Sequence, residues 1–118
     1  MKTHGSATTF HVSDVDAALA FYTTVLGFNE RFRFGNYIGV EHGEVRIHLS
    51  RPGTPNGQSI GQGSIYIFCD AVDAYHKEIT AKGATSQAPP KDYEYGMRDF
   101  VVNDPDGNLI GFGQESRV

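Results

Sequence analysis

From Ala7 to Val12 the chain alternates, with Thr8, Phe10 and Val12 on one side and Ala7, Thr9 and His11 on the other, the period of a strand. After Ser13 the period lengthens. Ala18, Leu19, Tyr22, Val25 and Leu26 recur at three- and four-residue spacing as far as Gly27, which predicts an amphipathic helix ending in a left-handed glycine. Ser13, three positions ahead of Asp16, reads as its N-cap. The same order returns about half a chain later. Ile65, Ile67 and Cys69 alternate with Ser64, Tyr66 and Phe68, Asp70 stands three positions ahead of Asp73, and a helical stretch through Tyr75, Glu78 and Ile79 closes at Gly83.

Each helix is followed by further strand patterns. In the first half these are NERFRF, NYIGVEH and EVRIHLS, separated by turn residues at Gly35-Asn36 and Gly43. In the second they are a short stretch near Thr85, then RDFVVN and LIGFG around the turn DPDGN. The predicted fold class is α+β: two tandem βαβββ modules forming a cupped mixed sheet with one helix per module. The 118 residues make one domain, with module one at about 6–50, a Gly- and Pro-rich linker at about 51–62 and module two at about 63–115. One helix covers one face of a small sheet, so the opposite face is left to wall a cavity.

Composition narrows the function classes. A net charge of −4 disfavours a phosphate backbone, so nucleic acid is not an expected partner. No apolar run approaches the ~18–20 residues of a membrane helix, and MKTHGSATTF lacks the apolar segment of a signal peptide, so no membrane partner and a cytoplasmic location are expected. The single cysteine, Cys69, can form no intrachain disulfide and reads as a buried small hydrophobe. No Gly-rich phosphate loop follows a strand, and there is no G-x-S-x-G or CxxC.

The ordered set of duplicated caps, FYTTVLGF, RPG and YGMRDF…DPDGN spans nearly the whole chain and resembles the vicinal oxygen chelate superfamily, which includes glyoxalase I, extradiol dioxygenases, fosfomycin-resistance enzymes and bleomycin-resistance proteins. Its enzymes hold a divalent metal with four side chains. The matching positions here are Ala7, His48, Ser64 and Gly111. Ala and Gly offer no donor and a neutral Ser hydroxyl is a poor ligand, so the resemblance implies a metal-free, cofactor-free member. Such members typically pair halves across two chains, which implies a homodimer. In bleomycin-resistance proteins an aromatic just before the glycine matching Gly96 stacks on the drug, and Tyr95 stands there.

Six Tyr and eight Phe also point to a planar ligand, because several fall outside the helix-facing pattern. Phe32, Phe34, Ser64, Tyr66 and Tyr95, with His48 and Arg98 as polar contacts, are the candidate ligand-binding residues. The expected function is sequestration of a small aromatic or cationic molecule in a dimer cavity. His48 carries the alternatives to a plain cavity-wall histidine: a lyase, isomerase or dioxygenase with a relocated metal at His48, His11 and Glu41, or a metal-free catalyst with His48 as base.

Overall fold

The computed structural model describes residues 1–52 and 59–116, so part of the expected linker lies outside the described residues. Module one comprises β1 (Thr8–His11), α1 (Val15–Ala20), a π-helical turn (Phe21–Val25), β2 (Asn29–Phe34), β3 (Tyr37–His42) and β4 (Val45–Ser50). Module two comprises β5 (Ser64–Phe68), α2 (Val72–Ala81), the two-residue strands β6 (Thr85–Ser86) and β7 (Lys91–Asp92), β8 (Met97–Asn103) and β9 (Leu109–Glu115). The α+β duplication is as expected. The sheet, however, is divided: β1-β4-β3-β2 form one mixed sheet, and β5-β9-β8-β6 with β7 on β8 form a second. In each the first strand pairs in parallel with the last, and the remaining pairs are antiparallel. The outer edges of β1 and β5 carry no strand partner among the described residues.

Both helix starts differ in detail from the expected caps. Asp14, in extended conformation, caps α1 through hydrogen bonds from the Asp16 and Ala17 amides at 2.9 and 3.1 Å. Ser13 instead donates its amide to Asp106 of module two. At α2 the cap position is Ala71, left-handed at φ 51°, and the Val72 amide donates to the Gln114 side chain at 3.0 Å. Asp70 therefore does not cap its helix.

The π turn follows from three consecutive β-branched residues, Thr23, Thr24 and Val25, at the end of the helix. The two Thr hydroxyls hydrogen-bond back to the Leu19 and Ala20 carbonyls, which loosens the α-helical ladder there. Tyr22 in this turn is fully buried, and its hydroxyl donates to Asp104 of module two at 3.0 Å. Burial, and then the neighbouring Asp104, push the Tyr22 phenol well above its usual range. Asp104 also accepts from the Asp106 and Asn108 amides and from the Asn108 side chain, each at 2.9 Å. Asn108 in turn donates to the His11 carbonyl and accepts from the Gly63 amide. DPDGN is thus the clasp between modules as well as a turn. A single apolar core, with Phe10, Ile38, Ile47, Ile67, Ile79 and Ile110 among its members, runs through both halves.

Candidate ligand-binding faces

Alternation places the helix-facing residues inside and leaves one open face on each sheet. In β4, Ile47 and Leu49 are buried while Arg46, His48 and Ser50 turn the other way. A register shift between Glu30 and Phe32 sets Phe32 opposite Gly39. The Phe32 ring lies where a Cβ on Gly39 would be, so the glycine makes the floor on which the ring rests. Phe34 packs on Phe32 with ring centroids 5.7 Å apart, and His48 meets the Phe32 ring edge-on at 5.2 Å. Tyr37 stacks on Phe32, and its hydroxyl is 2.8 Å from Nδ1 of His48. Phe32, Phe34 and His48 therefore come together on module one, with Tyr37 as a fourth member.

Module two repeats the arrangement with different side chains. Tyr66 on β5 lies across Gly111 and Gly113 of β9, where side chains would collide with its ring. Its hydroxyl donates to Oδ2 of Asp99 at 2.9 Å, and the Tyr95 hydroxyl donates to the same oxygen at 2.6 Å. Asp99 is only 5% exposed. Among the described residues no side chain donates to its Oδ1. The bond from Asp99, then burial, lift the Tyr95 phenol to about 12, while burial and the same carboxylate raise Tyr66. Both phenols consequently stay protonated and donating across the physiological range. Tyr93 stacks on Tyr95 at 5.3 Å, and Phe68 meets Tyr66 edge-on at the same separation. Ser64 opens β5 on this face and is exposed.

Arg98 joins neither cluster. It shares the parity of the buried Phe100 and Val102, so it turns to the helix side, where Nε and Nη2 each bond the Asp73 carboxylate at 2.8 Å. This fork, ended by Asp92 at 3.5 Å, ties β8 to the first turn of α2 and holds the Asp73 carboxyl below its usual range. Asp99, one position on, takes the place on the open face that the sequence reading assigned to Arg98. The alternation of Phe100 and Val102 carried that signal.

The donor set does not fit the superfamily's metal. Of Ala7, His48, Ser64 and Gly111, only His48 offers a good ligand atom, and one of its two nitrogens is engaged by Tyr37. The relocated set of His48, His11 and Glu41 does not assemble either. Among the described residues no three His, Cys, Asp or Glu side chains group closely enough to hold a metal, and Glu41 is paired with Arg31 at 2.8 Å.

Two tandem βαβββ modules with an aromatic open face on each define the class of protein, and the comparisons agree. Residues 6–112 match the Glyoxalase/Bleomycin resistance protein/Dioxygenase superfamily, and the chain belongs to it. A bleomycin resistance protein of Geobacillus stearothermophilus is 29% identical over 120 residues, covering 88% of this chain and 91% of the relative. A superfamily member from Sphaerobacter thermophilus superposes with a TM-score of 0.84 at 29% identity, covering 98% and 99% of the two chains. The bleomycin-binding protein of Streptomyces verticillus, solved with copper(II)-bleomycin, superposes with a TM-score of 0.79 at 27% identity, over 99% of each chain. Among the described residues no helix is long and apolar enough to cross a membrane.

Proposed function

We propose that this chain is a metal-free, cytoplasmic binding protein that sequesters a planar aromatic small molecule bearing a positive charge, in pockets formed by a homodimer. One observation carries the reading: two phenols converge on a buried carboxylate over a glycine floor. Aromatic faces attract a cation and stack on a flat ring, and a carboxylate held in that setting favours positive charge. The Streptomyces verticillus neighbour, named for binding bleomycin, supports a small-molecule ligand. Each pocket joins the Phe32, Phe34, Tyr37 and His48 face of one copy to the Tyr66, Tyr95 and Asp99 face of the other.

Physical support for the dimer comes from what a single chain leaves in water. Phe34, Phe68 and Tyr95 are 75%, 78% and 64% exposed, and all three lie on or beside the open faces. Unpartnered edges on β1 and β5 add to the cost of a lone chain, and two-fold pairing covers faces and edges together. A chain with one cysteine suits a reducing compartment. Calorimetric titration with bleomycin tests the reading: saturable binding at one site per chain is expected, with no change to the drug. The competing catalytic reading draws on the Tyr37–His48 bond, which would orient the imidazole as a base; it requires chemical conversion of a bound compound that is lost in His48→Ala.

A further inference from the structure

On the helix-covered side, away from both aromatic faces, a cleft of about 310 Å³ opens between the modules. Phe28 and Val45 of module one form one wall, and Tyr75 and Phe112 of module two the other. Its volume lies at the lower end of the range for small-molecule sites. One side of α2 faces it, because Ala71, Ala74, Tyr75 and Glu78 recur at helical spacing. The two alanines leave the room, and Tyr75 closes the far end by donating its hydroxyl to the Leu26 carbonyl.

His42, Cys69 and Tyr75 contribute polar atoms to the cleft, and its acidic groups are two carboxylates. Asp70 and Glu78 line it, and no Lys or Arg does. Asp70 is the residue that would ordinarily cap α2, but Gln114 takes the Val72 amide, and Ala71 adopts a left-handed conformation between them. Among the described residues no hydrogen bond engages either the Asp70 or the Glu78 carboxylate. Cys69 also lines the cleft; it is partly buried and packs against the core, short of the full burial its apolar run suggested. Burial and Asp70 raise its thiol above the usual value, so it remains a neutral, weakly polar wall. A metal does not suit the site, because its carboxylates, Cys69 and His42 do not group as ligands.

We propose that this cleft is a second ligand site, which takes a small hydrophobic amine with its ammonium held by Asp70 and Glu78 and its apolar body between Phe28, Val45, Tyr75 and Phe112. An anion would face two carboxylates with no Lys or Arg in the lining to offset them. A neutral apolar molecule would leave both carboxylates without a counter-charge.

The chain's single cysteine provides the test. The rate of Cys69 alkylation by N-ethylmaleimide is measured with increasing 2-phenylethylamine, and separately with 2-phenylethanol, its uncharged counterpart. The amine is expected to slow alkylation saturably, and the alcohol to require about tenfold more for the same effect. Asp70→Asn and Glu78→Gln lie at exposed positions, so the fold should survive them, and each should weaken protection by the amine about fivefold or more. Tyr66→Ala, on the other side of the sheet, should leave protection intact, which separates this site from the aromatic faces. Equal protection by the alcohol, undiminished protection in the Asp70→Asn/Glu78→Gln double variant, or a thiol already shielded by a partner chain and indifferent to the amine would each overturn the proposal.

Discussion

Replacing Asp104 with Ala should lower the stability of the folded chain by about 3–5 kcal/mol. The change removes the acceptor for the Tyr22 hydroxyl, for the Asp106 and Asn108 amides and for the Asn108 side chain at once. Tyr22 and Asn108 are both fully buried, so water cannot substitute for the lost partner. An unpaired buried polar group costs about 1–3 kcal/mol, and several such groups are stranded here. For a domain of this size the thermal midpoint should fall by roughly 10–20 °C at fixed protein concentration. Tyr22→Phe removes only one of these bonds and should cost about 1–2 kcal/mol. A thermal melt of the two variants checks both. If Asp104→Ala melts within a few degrees of the parent, the turn does not join the modules in the way described.

The second large effect concerns binding. Asp99→Asn keeps an acceptor for the Tyr66 and Tyr95 hydroxyls but removes the charge, so affinity for a cationic aromatic ligand should fall by about 10- to 100-fold. Affinity for an uncharged ring of the same shape should hardly change. Tyr95→Ala should weaken both kinds of ligand, by about tenfold, because it removes stacking surface as well as a bond to Asp99. Stability should respond little to Tyr95→Ala, since the residue is largely exposed and outside the core. Titrating matched charged and uncharged aromatic probes into the two variants separates charge recognition from stacking.

The duplicated fold was legible in the sequence because hydrophobic period depends only on spacing. The switch from period two to helical period at Ser13, and again at Asp70, marks both βα junctions without reference to anything distant. Phe32, Phe34, His48 and Tyr66 could likewise be placed on open faces from alternation, whereas Tyr95, in the turn before β8, is placed only by the family resemblance. Details that depend on long-range partners were less accessible. Asp70 has the type and position of a cap, yet a glutamine from the last strand reaches the helix first. DPDGN reads locally as a turn, and its wider role depends on a tyrosine in the other module. Asp99 is hidden for a different reason: it stands beside a cation, and only the parity that Arg98 shares with Phe100 and Val102 puts the arginine on the helix side and the aspartate on the open face.

Whether a pocket is shared between two chains, as proposed, can be tested by complementation. Phe32→Ala damages only the module-one face, and Tyr66→Ala only the module-two face, so a dimer of either variant has two impaired pockets. In a mixed dimer one pocket takes its module-one face from the Tyr66→Ala chain and its module-two face from the Phe32→Ala chain, and it is intact. After subunit exchange in an equal mixture, titration with bleomycin should recover about a quarter of the tight sites of the parent protein, while neither variant alone shows any. If mixing restores no tight binding although the parent binds, the two faces do not meet across chains and the shared-pocket account is wrong.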